Sequence, residues 1–340
     1  MSTHQKRFSP YHSRIAGSVA LVLLGFSCAS SANSLNLSYG QLKQHTSYID
    51  EEVTLEPIGP SLSLSLDLNE QWSVDLGYNK WSDELTFEGL FTADSDLKTW
   101  GGSVNYYLNK WSFSFSYNDY QDDLLLASVR RPDERYRSDK TTSTSYGAST
   151  GYGWVSGNLF YNVSFGAQMA DWVSTSITLN TPLPEAPPPP PAGEPQAPQN
   201  TLLTEINSGD PSSISTSFSV ARFWSVTEDT GVLMGGILSW NHMLSGDPVL
   251  VSSHGRNIAP NRPNQGGNNA PAVGGGVNNF NRAGNTTGLG SASGDDSYGQ
   301  VSFYVSYDLT ESVSVDFDYG VDIGTDENDS VWSVSLGYFF

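Results

Sequence analysis

"SLSLSLDLNEQWSVDLGY", residues 61–78, decides the fold. Leu62, Leu64, Leu66 and Leu68 leave the chain on one side, and Ser63, Ser65 and Asp67 on the other. After a tight turn at Asn69 and Glu70 the pattern resumes, with Trp72, Val74, Leu76 and Tyr78 on the apolar side. A period of two carried through a short turn marks two antiparallel strands, because successive side chains of an extended chain point to opposite faces. The design recurs. Val104, Tyr106 and Leu108 lead to a turn at Asn109 and Lys110, followed by Trp111, Phe113, Phe115 and Tyr117. Val301, Phe303, Val305, Tyr307 and Leu309 precede a turn at Thr310 and Glu311, and Val313, Val315, Phe317, Tyr319 and Val321 lead back.

Counted on this basis, strands fall near 34–44, 58–68, 71–81, 98–108, 111–120, 141–156, 159–180, 213–225, 230–242, 297–309, 312–323 and 330–340. Twelve is an even number. Short turns near 69, 109, 157, 227 and 310 alternate with longer connections at 45–57, 82–97, 121–140, 181–212 and 243–296, and with a brief one at 324–329. Short turns at one rim, long loops at the other and both ends on the short-turn side describe a membrane barrel. The expected fold class is all-β: a transmembrane antiparallel up-and-down β-barrel of twelve strands with long extracellular loops. Within 141–180 a second turn at 166–171 is the competing register.

A soluble sandwich also alternates. Two features favour lipid as the medium of the apolar face. The other face is mostly Ser, Gly, Asn and Asp, too small and polar to fill a dry core. The aromatics are expected in two girdles, Trp72, Trp111, Trp332 and Tyr338 by the short turns and Trp81, Trp100 and Trp240 by the loops.

The first 32 residues read as a secretory signal peptide, with Lys6, Arg7 and Arg14 ahead of an apolar run at 15–26 and Ser30, Ser31 and Ala32 as a small-residue cleavage site. That run is shorter than the ~20 residues a membrane helix needs. Cleavage after Ala32 leaves 340 − 32 = 308 residues, a barrel over 33–340. Cys28, the single cysteine, raises lipoprotein processing as a minor alternative, but Gly25 stands where such sites carry Leu. Without Cys28 neither a disulfide nor a thiolate metal site is open to the chain. The formal charge of 16 − 36 = −20 becomes 13 − 36 = −23 once the three basic residues of the signal leave. So acidic a chain repels nucleic acid.

The chain closes on "VWSVSLGYFF", residues 331–340, in which Trp332, Val334, Leu336, Tyr338 and Phe340 alternate. This stretch resembles the C-terminal assembly signal of Gram-negative outer-membrane β-barrel proteins. The resemblance implies the cell outer membrane as location and the barrel-assembly machinery as a partner. Twelve strands also resemble autotransporter translocators, some nucleoside and acidic-sugar channels, and the outer-membrane phospholipase. The first strand begins almost at the cleavage site, which makes a solitary autotransporter-like barrel or a small porin the implied type.

Candidate chemistry lies on the polar face. Asp67, Asp75, Asn105, Asn118, Asp308, Asp316, Asp318 and Asp322 are expected to line a narrow wet lumen, between the 8 strands that side chains fill and the 16 that leave a wide channel. The plainer reading is that they solvate the wall or bond across a plugged lumen. In 121–140, Arg130, Arg131, Arg135, Arg137 and Lys140 are candidates for contact with phosphorylated lipopolysaccharide. Local pairing with Asp133, Glu134 and Asp139 is the simpler alternative, and the favoured one.

The Pro-rich 180–212 loop reads as a stiff external spacer and the Gly/Asn-rich 243–296 loop as a segment unable to bury enough surface to order itself. Asp326, Glu327 and Asp329 lack the spacing of a calcium loop, so no metal and no cofactor are expected. His45, His242 and His254 are the histidines left after processing, and Asp171 or Asp247 near His242 is the best acid–histidine pairing on offer. No motif of fixed spacing surrounds them, and no catalysis is expected. Two functions remain: a channel for cations or small neutral solutes, or a non-conducting surface barrel that anchors its loops for adhesion or envelope contact. Outer-membrane lipid is a partner in both.

Overall fold

The computed structural model describes residues 33–48, 51–87, 91–128, 135–180, 201–227, 230–246, 297–310, 312–323 and 330–340. Residues 1–32, where a signal peptide is expected, residues 181–200 of the Pro-rich loop, residues 247–296, Arg130, Arg131 and the acids at 326–329 lie outside the described residues. The strands are β1 (Ser34–Tyr48), β2 (Glu51–Leu55), β3 (Ile58–Asp67), β4 (Trp72–Phe87), β5 (Phe91–Leu108), β6 (Trp111–Ser128) and β7 (Arg135–Ser156). They continue with β8 (Leu159–Asn180), β9 (Thr201–Gly209), β10 (Ser212–Ser225), β11 (Gly231–Ser245), β12 (Ser297–Thr310), β13 (Val313–Ile323) and β14 (Ser330–Phe339).

Fourteen strands make twelve staves. β2 and β3 both pair with β1 and are broken only at Glu56 and Pro57; β9 and β10 both pair with β8 and are broken only at Asp210 and Pro211. Proline has no N–H for the ladder, so each break falls where a donor is missing. The carbonyls still serve: Leu42 N donates to Pro57 O at 3.0 Å and Ala170 N to Pro211 O at 2.9 Å. Consecutive staves pair antiparallel all the way round, β14 returns to β1, and the barrel is closed.

The register sets its size. From Tyr161 the paired residues run Val220, Gly236, Phe303, Tyr319, Trp332, Gln41, Ile58, Ser82, Asp96, Asp123, Lys140 and back to β8 at Thr175. The shear is therefore 175 − 161 = 14 residues for twelve staves. With strands ~4.8 Å apart and a rise of ~3.4 Å per residue, that shear tilts the staves by about 40° and holds the backbone about 12 Å from the axis.

The outer and inner faces invert the arrangement of a soluble protein. Leu76, Phe115, Phe165, Phe303 and Leu336 on the outer face are 50–58 % exposed, whereas Ser73, Ser306, Ser314 and Asp318 on the inner face are 0 % exposed. A surface this apolar over its whole circumference belongs in hydrocarbon. Aromatic ladders bound it. Near the short turns Trp72 meets Tyr106 at 4.8 Å, Trp111 meets Tyr152 at 5.0 Å and Trp154 stacks on Tyr161 at 5.2 Å. On the loop side Trp100 meets Tyr117 at 5.1 Å and Tyr117 meets Tyr146 at 5.4 Å. On a stave the two ladders stand six residues apart, as from Trp111 to Tyr117, so their backbones are about 16 Å apart in height at this tilt and the rings extend the apolar band beyond both ends.

Three sequence expectations change. Trp81 is not a girdle residue: it is 3 % exposed, shares the inward register of Asn79, and its Nε1 donates to Ser61 Oγ at 3.1 Å. Trp332 belongs to the loop-side girdle, not the turn side, because it pairs with Gln41, whose side chain accepts from its indole at 3.0 Å. The connections expected at 45–57, 82–97 and 121–140 are largely strand, and β9 takes up part of 181–212. Beyond the girdle, outward positions become Lys80, Glu84, Asp94, Asp96, Lys98 and Asp123. Side chains keep alternating in direction there, but no longer in polarity. The competing turn at 166–171 does not exist, since β8 runs unbroken from Leu159 to Asn180.

Candidate functional site

Everything the barrel can do to a solute happens on its inner wall. All eight polar candidates stand on inward register positions. Asp75 is tied in place by Ser65 Oγ, by Ser103 Oγ at 3.2 Å and by Asn105 Nδ2 at 2.6 Å, and remains half-buried. Asn118 and Asp67 are also half-buried, while Asn105, Asp308, Asp316, Asp318 and Asp322 are buried. Asp316 accepts from Ser314 and Ser335, Asp318 from Ser333 at 3.4 Å, and Asp322 from Gln300 at 3.0 Å. Ionised or not, these groups sit among hydroxyls and amides, which is how a wall keeps carboxylates in place.

Their counter-charges are elsewhere. Among the described side chains Lys43, Lys80 and Lys140 are exposed on the outward register, Lys110 sits in a turn, and Arg222 lies over the Trp224 ring at 4.9 Å. Lys98, also outward, pairs with Asp96 at 2.9 Å. Of the described basic side chains Arg137 alone holds an inward position, high above the girdle, where it pairs with Asp139 at 2.8 Å. At the height of the membrane the described lumen wall therefore carries acids and no base.

The wall is uneven. Along β3–β8 a level ring of Ser63, Asp75, Ser103, Ser116, Ser149 and Ser164 is half-buried and open to the lumen. Along β8–β12 Phe160, Ala221, Leu233, Ile237 and Tyr304 form a buried cluster with Phe223 packed on it. Gly235 makes that cluster possible, for a Cβ there would overlap the Tyr304 ring. Higher up, Leu42, Trp81, Leu97, Tyr120, Trp172 and Val331 form a second inward cluster. Sequence reading missed both clusters. Parity would have exposed one member: Trp81 is odd on a strand whose outward residues, Trp72, Val74, Leu76 and Tyr78, are even.

The remaining candidates fall outside the lumen. Lys140 faces outward with Asp123 at 4.0 Å, and Arg137 is taken up by Asp139, so these two of the five basic candidates pair locally. Arg135 lies on β7, but its side chain is outside the described residues, as is that of His45. His254 and Asp247 lie outside them altogether. His242 is exposed on the outward face with Nδ1 2.5 Å from Ser297 Oγ. Asp171 is exposed on the outward face of β8, two staves away. Above the girdle Asp94 faces Glu84 across β4 and β5; burial first, and then the Glu84 charge, raise its carboxyl above the ordinary aspartate range. No group of three or more His, Cys, Asp or Glu among the described residues is placed to hold a metal ion.

The solved structures resembling this chain are outer-membrane barrels. The translocator domain of the autotransporter NalP from Neisseria meningitidis superposes with a TM-score of 0.54 at 10% identity, covering 96% of this chain and 94% of that one. The β domain of the Bordetella autotransporter BrkA gives 0.47 at 9% identity over 91% and 98%. The transport unit of the autotransporter AIDA-I from Escherichia coli gives 0.41 at 10% over 98% and 100%. No family model matches the sequence, and no curated protein matches it. The fold is thus a closed twelve-stave antiparallel barrel, similar to that of an autotransporter translocator domain.

Proposed function

We propose that this barrel is a narrow outer-membrane channel for cations and small neutral solutes. The supporting observation is the inner wall: half-buried serines around Asp75, buried aspartates opposite, and no described basic side chain facing the lumen at membrane height. A wall of one sign in a low-dielectric shell concentrates counter-ions and sets selectivity. Lipid and lipopolysaccharide surround the barrel in this reading, and the barrel-assembly machinery inserts it through the alternating Trp332–Phe340 stretch, whose Trp332, Val334, Leu336, Tyr338 and Phe340 share the outward register. Catalysis has no part in it. In planar bilayers the purified protein gives stepwise, cation-selective openings, and Asp75→Asn lowers the selectivity. A correctly folded barrel that stays silent would refute the reading.

One observation favours a second reading. β6, β7 and β8 continue well past the loop-side girdle, a raised collar that suits a surface barrel displaying its 181–212 and 243–296 loops. Binding of whole cells or matrix that disappears when those loops are shortened, in a barrel without conductance, is its signature.

A further inference from the structure

The inward cluster of Leu42, Trp81, Leu97, Tyr120, Trp172 and Val331 forms a belt. One circuit of the register climbs 14 residues in twelve staves, so a horizontal ring drops about 1.2 residues per stave relative to a paired row. Corrected in this way, Val331, Leu42, Trp81, Tyr120 and Leu97 lie within about 7 Å of one height and Trp172 about 4 Å higher. That height lies above the loop-side girdle of Trp100, Trp240 and Trp332, level with the outward Lys80 and Lys98. Asn241, Tyr298 and Asp322, all buried, occupy the same level on β11, β12 and β13. Val331 and Trp172 are on nearly opposite staves, yet both belong to the one cluster.

Exposure marks the change of level. Below, Ser63, Asp75, Ser103 and Ser116 are half-buried; in the belt Trp81 and Leu97 are 3 % exposed and Trp172 5 %. Indole and phenol rings reaching inward from a wall about 12 Å from the axis leave little room for a hydration shell. A passage lined by such rings obstructs strongly hydrated ions by dewetting. It is kinder to weakly hydrated cations, which aromatic faces attract. Two carboxylates stand at this level to favour positive charge: Asp122, which accepts from Tyr120 OH at 3.2 Å, and Asp322.

We infer that this belt, rather than the aspartate-lined wall below it, is the permeation barrier, and that it selects weakly hydrated organic ammonium ions over hydrated alkali cations. The inference rests on the channel reading and names its solute class. The test compares single-channel conductance, and the permeability of tetramethylammonium relative to Na⁺, in the native chain, in Trp81→Ala with Trp172→Ala, and in Leu97→Ser should the double variant not fold. Native openings should favour tetramethylammonium, and belt variants should conduct at least threefold more while losing that preference. Native and variant channels of equal conductance and selectivity overturn the belt and leave the channel standing. A silent native chain with a conducting belt variant upholds the belt but refutes a native channel. Silence in every folded variant overturns both.

Discussion

The inner wall along β3–β8 and the inner wall along β10–β14 belong to one sheet, obey one alternation and face the same space, yet they are built differently. The first presents small hydroxyls around a reachable Asp75; the second buries Asp308, Asp316, Asp318 and Asp322 and adds Phe223, Leu233, Ile237 and Tyr304. Alternation decides which side chains enter the lumen. It does not decide whether they line water or pack against one another, which depends on side-chain size and on glycines such as Gly235 that make room for a neighbour's ring.

The largest effect comes from breaking the inside–outside contrast on which both walls depend. Phe115 and Ser116 are neighbours on β6 facing opposite ways. Phe115→Arg places a guanidinium in mid-bilayer and should cost about 2–4 kcal/mol of folding free energy into lipid. Ser116→Arg should fold nearly as well as the native chain and weaken cation preference. Urea titrations in vesicles read the first and reversal potentials the second.

Next comes packing against openness. Gly235→Val drives a side chain into the Tyr304 ring and should cost about 1–3 kcal/mol, recovered in large part by adding Tyr304→Ala. Ser149→Val, on the open wall, should stay within about 0.5 kcal/mol. Heat-modifiable gel migration measures both.

A smaller effect separates reachable from buried charge. Asp75→Asn should shift the reversal potential toward zero, while Asp318→Asn, sealed in the wall, should leave it nearly unchanged; the opposite order would erase the distinction between the walls.

The smallest effect lies above the membrane, at Asp94 and Glu84. A carboxyl whose value is raised in the folded state adds stability that is fully present below its unfolded value and lost as pH rises through the folded one. Stability from Asp94 should therefore increase modestly as pH falls through its raised value toward the ordinary ~3.9. The group is mostly exposed, so the change stays under about 1 kcal/mol, and Glu84→Gln should reduce it without abolishing it, because burial is the larger cause.

Much of the fold was legible because Leu62–Leu68, Trp111–Tyr117 and Val301–Leu309 repeat polarity with the period of direction. The strand extensions were not, since above the girdle Lys80, Glu84, Asp94 and Lys98 sit on outward positions where water replaces lipid and apolar residues are no longer needed. The breaks at Pro57 and Pro211 could have been read from the proline alone. The inward aspartates were visible in sequence by parity; their burial was not, because it depends on bulk supplied by other staves. The aromatic belt was hidden for a similar reason. Trp81 and Tyr120 come to one height, with Trp172 above them, only after the shear is known, and shear is a property of the closed barrel rather than of any one strand.

The central claim is that hydrocarbon surrounds the outer face from the Trp72 and Trp111 girdle to the Trp100 and Trp240 girdle. Tryptophan fluorescence of the folded chain in vesicles of lipids brominated at graded depths tests it most directly. Strong quenching by bromines near either interface, abolished when the outward-facing Trp72, Trp100, Trp111, Trp154, Trp224, Trp240 and Trp332 are replaced by Phe, is the predicted result. A folded monomer that stays in detergent-free buffer, with fluorescence indifferent to brominated vesicles, would contradict it.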